Sequence, residues 1–250
     1  MRKLILMLIL SVVFSAFSAA ESTPQPISIT VNPGLEFSFT SISSLVGTDK
    51  TKNNFNFLAS RLVLNIDILD YLSAEVLAGY HYAYAQDPLN FTSLPLSLRW
   101  DREKFNGLLL GVALSSVPYT LNDFSLKVRG EFIYAMEKEK TWAIELPLVS
   151  GLATGDNRFT LLTLDATVQY EGLTGVTIFI GPRLNLLSGK FSVDESIEDL
   201  LGQQEFSYRQ KNFFGAMAGA AIEIGGNWEL QVKASLLART EFSLAVFYIF

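Results

Sequence analysis

The sequence ends with Phe242-Ser-Leu-Ala-Val-Phe-Tyr-Ile-Phe250, in which every second residue from Phe242 onward is large and apolar. Side chains of a β-strand point alternately to its two faces, so these residues share one face. The apolar face consists of Phe242, Leu244, Val246, Tyr248 and Phe250. Glu241 and Ser243 make the opposite face more polar. The stretch therefore predicts a strand with one face in lipid and an aromatic end.

The start of the chain predicts an export signal. Arg2 and Lys3 precede an apolar run over 4–17, which is followed by Ser18-Ala19-Ala20. This order of basic, apolar and small residues is typical of a secretory signal peptide. We expect residues 1–20 to be removed after Ala20, leaving 21–250 as one domain. The apolar run is too short for a membrane-spanning helix, and no other stretch of the sequence qualifies.

The composition argues against several classes of function. The chain has no cysteine, so it offers neither a disulfide framework nor a thiolate metal site or nucleophile. Its formal net charge is −6 and its basic residues are scattered, so no nucleic-acid partner is expected. Nor does any motif indicate a cofactor.

Period-two alternation predicts about twelve strands. The segments are 27–39, 55–68, 73–84, 93–100, 105–115, 123–136, 141–149, 160–170, 175–187, 211–224, 228–238 and 241–250. The segments that contain Pro95 and Pro147 fit a strand least well, because proline donates no ladder hydrogen bond. Ten strands is the alternative count.

Short and long connections alternate between these segments. The short ones are 69–72, 101–104, 137–140, 171–174 and 225–227, and the longer ones are 40–54, 85–92, 116–122, 150–159 and 188–210. In the last of these, Ser192 to Glu195 could form a capping box before Ile197, Leu200 and Leu201, which predicts a short helix. Short turns at one end and longer loops at the other are typical of bacterial barrels.

The whole pattern resembles the outer-membrane β-barrel proteins of Gram-negative bacteria. The resemblance rests on the export signal, the alternating strands and the ending Phe242 to Phe250. It implies a single antiparallel up-and-down barrel in the outer-membrane bilayer. It also implies that the outer-membrane assembly machinery recognises the terminal strand. A soluble barrel or sandwich, with its apolar faces turned inward, is the alternative that periodicity alone leaves open.

Aromatic residues lie close to the predicted connections, as they do at membrane interfaces. A periplasmic girdle is predicted from Tyr71, Trp100, Trp142, Tyr170 and Trp228, which lie beside the short turns. An outer girdle is predicted from Phe37, Phe39, Tyr82, Tyr84, Tyr119, Phe124, Phe159, Phe214 and Phe242.

The polar faces of the strands predict a charged lumen. In 123–136, for example, Phe124, Leu126 and Val128 alternate with Ser125, Lys127 and Arg129. The predicted lumen charges are Glu36, Arg61, Asp67, Glu75, His81, Arg99, Lys127, Arg129, Glu131, Glu145, Asp165, Arg183, Glu223, Glu229 and Lys233. A ring of twelve strands has a backbone radius of roughly 12 Å, which leaves at most a narrow channel.

The sequence favours a narrow channel for small polar solutes, selective through its mixed lumen charges. A closed structural or adhesive barrel that displays its outer loops is the alternative. A lipid hydrolase of the outer membrane is a weaker hypothesis, because such enzymes need a histidine and His81 is the only one. No recognisable motif surrounds it, so no catalytic residue is nominated and no enzyme is expected.

Overall fold

The computed structural model describes residues 29–47, 50–69, 71–87, 89–91, 98–100, 105–145 and 150–250, and for 89–91, 98–100 and 145 the backbone only. The predicted signal peptide, 1–20, lies outside these ranges. No helix within them is long and apolar enough to cross a membrane.

The described residues form fourteen strands. They are β1 (Thr30–Val46), β2 (Thr51–Leu69), β3 (Leu72–Ala85), β4 (Leu89–Phe91), β5 (Leu98–Trp100), β6 (Phe105–Leu121), β7 (Phe124–Glu137), β8 (Lys140–Glu145), β9 (Ser150–Leu173), β10 (Val176–Ile197), β11 (Leu200–Gln210), β12 (Phe214–Ile224), β13 (Trp228–Leu236) and β14 (Thr240–Tyr248).

Twelve of these strands belong to one antiparallel sheet, and the sheet closes on itself. The ring runs β1-β2-β3-β6-β7-β9-β10-β12-β13-β14 and returns to β1, because β14 pairs with both β13 and β1. The prediction of an all-β, up-and-down barrel is confirmed. The ring itself has ten strands; of the other two, β8 continues β7 along β9, and β11 pairs with β10 and β1 above β12, β13 and β14.

The two ends of the barrel differ. Thr30 and Tyr248 lie at the same end, which we call the lower end, together with the tight turns at 122–123, 174–175 and 225–227. Val46, Ala85 and Ser150 lie at the opposite, upper end. Of the predicted strand 93–100, residues 93–97 lie outside the described residues, and 98–100 are wrong as part of a wall strand, because β5 pairs with β4 in a separate two-stranded sheet.

The predicted short turn at 137–140 is also wrong. Both β7 and β8 pair with β9, so Lys138 and Glu139 interrupt one continuing strand. They are exposed at the upper end, which explains their polar character without a change of chain direction. Because 93–100 adds no wall strand, β6 and β7 run opposite to their predicted directions. Because the chain does not turn at 137–140, β8 and every later ring strand run in their predicted directions.

The helix predicted within 188–210 is wrong as well. There β10 continues to Ile197 and β11 starts at Leu200, with Glu198 at a positive φ of 51° in the tight turn between them. The alternation of Phe191, Val193 and Ile197, which are all buried, outweighs the helical spacing.

Strand length varies greatly around the wall. With 11, 9 and 9 residues, β12, β13 and β14 are long enough for one crossing of a bilayer by a tilted strand. In contrast, β9 has 24 residues and β10 has 22. At the upper end the wall therefore extends beyond the length that one bilayer crossing needs.

Along β10 the apolar face changes sides. In its lower half, Ile180 and Leu184 point outward and Arg183 points inward; in its upper half, Lys190 points outward and Phe191 points inward. The lower half matches a wall in lipid, and the upper half matches a soluble barrel. The sequence argument predicted a connection above Leu187 and no strand. Its expectation that apolar residues face outward is wrong at Phe55 and Phe57 of β2, which are buried on the inward face, because the outside of the upper wall is polar and suits water.

Candidate functional site: the barrel interior

Apolar side chains fill the upper part of the interior, and we call this cluster the outer core. Its largest members are Phe55, Phe57, Phe105, Phe159, Phe191 and Tyr208, all at most 7% exposed. The rings pack in pairs, with centroids 4.6 Å apart for Phe55 and Tyr208, 4.9 Å for Phe57 and Phe159, and 5.1 Å for Phe105 and Phe191. These rings reach one another across the interior of the upper wall.

Several aromatic residues do not lie in the predicted girdles. Trp142 packs against the outer core at the upper end, so its prediction for the periplasmic girdle is wrong. Trp100 belongs to β5, also in an upper connection. Phe159 points into the outer core instead of toward lipid. Tyr119 and Phe124 lie at the lower end, because β6 and β7 run opposite to the predicted directions.

The only histidine lies within the outer core. The His81 Nε2 and Glu137 Oε1 atoms are 3.2 Å apart, and the two side chains are 1% and 0% exposed. Nearby, the Tyr208 hydroxyl donates to Asn157 Oδ1 at 2.8 Å. No group of three or more possible metal-ligating side chains occurs among the described residues. The His81 pair is therefore an enclosed polar contact in apolar surroundings.

We expect His81→Leu to lower the free energy of unfolding by about 1–3 kcal/mol, because it removes a buried hydrogen-bond partner of Glu137. In the double variant His81→Leu, Glu137→Leu, most of this loss should be recovered. Urea unfolding of the refolded barrel measures both values. Equal destabilisation by the single and double variants would show that the pair is not coupled.

An ion-pair layer lies beneath the outer core, and its first half is centred on two arginines. Arg61 Nη2 donates to Glu36 Oε1 at 2.6 Å, and Arg61 Nη1 lies 3.7 Å from Glu131 Oε1. Arg129 donates to Glu75 through two nitrogens, at 3.0 and 2.7 Å, and to Glu131 at 2.5 Å. These five residues, which are all among the predicted lumen charges, thus meet in one network.

The second half of the layer is centred on Arg183. Its Nε and Nη2 atoms donate to the two carboxylate oxygens of Asp165 at 2.6 and 2.9 Å, and its Nη1 donates to Ser235 Oγ at 2.6 Å and to Glu241. Arg239 also pairs with Glu241, at 2.7 Å. The sequence argument omitted Glu241 and Arg239 from the lumen charges, although Glu241 shares its strand face with Ser243.

A small cavity of about 40 Å³ separates the ion-pair layer from the outer core. Thr40, His81 and Glu241 are among its lining residues. This volume accommodates a few water molecules at most. The interior is thus nearly filled from the ion-pair layer upward.

Below the ion-pair layer the interior widens into a cavity of about 360 Å³, which we call the vestibule. Lys127, Glu229 and Lys233 line it, as does Asp67, whose carboxylate accepts from Asn32 at 2.8 Å and Asn65 at 3.1 Å. The vestibule is therefore a polar space at the lower end of the barrel.

Three predicted lumen charges lie elsewhere. Glu223 is exposed at the lower rim, close to the turn that joins β12 and β13. Arg99 belongs to the β4–β5 hairpin and not to a ring strand, and Glu145 ends β8 at the upper tip of the wall. The placement of Arg99 is a correction that follows from the misassigned strand 93–100, whereas Glu145 lies in β8, within the predicted strand 141–149, but at its upper end.

Aromatic residues also gather at the lower rim. The Tyr248 ring makes edge contacts with Trp228 and Phe250, at centroid distances of 5.0 and 4.7 Å. Tyr170 packs against Phe124 at 5.0 Å, and Tyr71 lies in the adjacent turn. On β14 the outward residues Phe242, Leu244 and Val246 are all exposed. The lower wall therefore presents an apolar belt bordered by rings.

Known structures with similar folds are outer-membrane proteins. The outer membrane protease OmpT from Escherichia coli has a TM-score of 0.53 at 8% identity, over 92% of this chain and 99% of that one. The translocator domain of the autotransporter NalP from Neisseria meningitidis has a TM-score of 0.48 at 12% identity, over 94% and 92%. An outer-membrane channel from Pseudomonas putida F1 has 0.41 at 11%, over 92% and 98%. No protein-family model and no curated protein matches the sequence.

The closed ring, the apolar belt and the similarity in fold to OmpT define the class: the chain has the fold of the bacterial outer-membrane β-barrel proteins. In barrels of this class the short turns lie at the periplasmic end and the longer connections at the outer end. Within the class, the molecule is a ten-stranded barrel whose wall rises above the membrane and encloses its own apolar core.

Proposed function

We propose that the protein is a closed, non-conducting barrel that anchors a rigid extracellular wall in the outer membrane. The outer core carries this proposal. Phe55, Phe57, Phe159 and Phe191 occupy the axis through which a solute would have to pass, and each is at most 7% exposed. A hydrated ion or polar solute would have to displace packed rings, and an apolar constriction also opposes wetting.

The ion-pair layer supports the same proposal. A selective pore presents charges to the passing solute, whereas Arg61, Arg129 and Arg183 each contact a carboxylate on another strand, at 2.6 to 2.7 Å. Charges satisfied in this way bind the strands to one another. The ion-pair layer then stabilises the part of the barrel that crosses the membrane by linking its strands.

One observation favours the channel as a second candidate function. The vestibule gives a polar solute about 360 Å³ of space at the periplasmic end, lined by Lys127, Lys233 and Glu229. A channel would require the outer core and the ion-pair layer to rearrange. A hydrolase gains no support, because the His81 side chain is 1% exposed and lies beside Phe159 at a ring distance of 5.4 Å.

We also propose that the assembly machinery of the outer membrane recognises β14 during insertion. The support is its outward row of Phe242, Leu244 and Val246 and its position as the strand that closes the ring against β1. Both edges of β14 are paired in the closed barrel, so recognition would precede closure.

Single-channel recording in a planar bilayer tests the closed barrel. We expect the purified, folded protein to give no conductance steps, while an open porin reconstituted in the same way gives them. Regular steps from the pure protein would contradict the proposal and favour the channel. In that case Arg61→Ser and Arg129→Ser should shift selectivity toward cations, because they make the interior more negative.

A further inference from the structure

The outward side chains of the tall wall follow a fixed order toward the upper end. On β9 the order is Leu162, Thr160, Arg158 and Asp156. On β10 the order begins in the same way, with Leu186, Ser188 and Lys190. Apolar residues thus give way to hydroxyl groups and then to a basic residue on both strands.

These basic residues are neighbours across strands. Arg158 and Lys190 are register partners, and their side chains are 66% and 65% exposed. Arg209 of β11 is paired with Ser188 of β10, and beyond it Leu45 of β1 is flanked by Arg209 and Lys52. Lys52, Arg158, Lys190 and Arg209, which are all exposed, form what we call the basic row.

The acidic partners of the basic row lie on its far side from the membrane. Asp156 accepts from Arg158 at 3.0 Å, and Glu205 accepts from Lys190 at 2.7 Å. Exposed ion pairs of this kind contribute little to stability, so a stronger anion can compete for the basic side chains.

We propose that the basic row binds the phosphate groups of an anionic lipid in the outer leaflet. The row lies beyond the aliphatic residues Leu162 and Leu186, with one hydroxyl residue between on each strand, which is the order expected where a wall passes from lipid chains to headgroups. Basic side chains at a lipid surface attract anionic headgroups, and a guanidinium such as that of Arg158 can bind a phosphate through two nitrogens. The lipid's acyl chains would lie along the apolar belt beneath.

The test uses the full folded protein in zwitterionic detergent micelles, titrated with bis-phosphorylated lipid A and, separately, with the same lipid after dephosphorylation. We expect binding, measured by native mass spectrometry, to require the phosphates. Arg158→Gln with Lys190→Gln should weaken it by about 25-fold, since each basic residue near an anionic lipid surface contributes about a fivefold effect. Asp156→Asn with Glu205→Gln should strengthen it.

A matched control is Lys127→Gln with Lys233→Gln, which removes the same charge from the vestibule and should leave lipid affinity unchanged. Circular dichroism and heat-modified gel mobility show that each variant is folded. The proposal is overturned if the Arg158, Lys190 variant binds as the original protein does, or if the dephosphorylated lipid binds equally well. Displacement of the lipid by inorganic phosphate at equal concentration would also overturn it, because the site would then select free phosphate.

Discussion

Arg183→Leu should lower the free energy of unfolding by about 3–5 kcal/mol, one of the two largest effects that we expect in this protein. Arg183 is 5% exposed and is the shared partner of Asp165 and Glu241, which are 5% and 8% exposed. Without it, two carboxylates remain buried with fewer donors, and the desolvation of each is no longer offset. Equilibrium unfolding in urea, with the barrel refolded in lipid vesicles, measures the loss.

Lys190→Gln is the control for Arg183→Leu. It also removes one cation with a short contact to a carboxylate, but that pair is exposed, and we expect a loss below about 1 kcal/mol. A similar loss in both variants would mean that the ion-pair layer is hydrated and does not brace the wall.

Phe159→Ala should cost about 3–5 kcal/mol, because it leaves a cavity in the outer core where Phe57 and His81 now contact the ring. Phe37 provides the comparison, since it is the same residue type on the outward face and is 50% exposed. Lipid chains can fill the space left by Phe37→Ala, so that variant should lose much less stability. Urea unfolding of the two variants in the same vesicles gives the difference.

The comparison between Phe159 and Phe37 tests the inversion of the wall. If Phe37→Ala were the more costly change, the apolar interior above the membrane would not be a packed core. The closed-barrel proposal would then lose its main support, because Phe159 lies on the axis that a solute would follow.

Much of the fold could be predicted from local patterns. Residues 241–250 predict the terminal strand, and β14 does run along them to Tyr248. The prediction was wrong where one local sequence pattern is compatible with two different structures. Glu137 to Lys140 is as polar as a turn, yet it continues a strand, because polar residues are also favoured wherever a strand leaves the membrane.

The candidate site was less accessible to prediction. Arg61, Arg129 and Arg183 were expected to face the lumen, but strand alternation does not say which carboxylate each one meets. The sequence does contain an indication of the outer core. Phe55 and Phe57 have the same strand parity as Arg61, so the inward face of β2 changes from charged to apolar along its length. Reading that change would have required knowing where lipid ends outside the wall.

The sequence by itself determined the class of architecture, because period-two alternation, turn residues and an apolar terminal strand are local properties that hold in any register. Only the tertiary structure decided that the ring closes with ten strands. Ring size, the pairing of β7 and β8 with one partner, and the meeting of Arg183 with Glu241 depend on strands distant in sequence. Apolar side chains at every second position can face an interior core where the strand is surrounded by water, or face lipid where it crosses a membrane. The position of the strand relative to the bilayer decides which of these two orientations is stable.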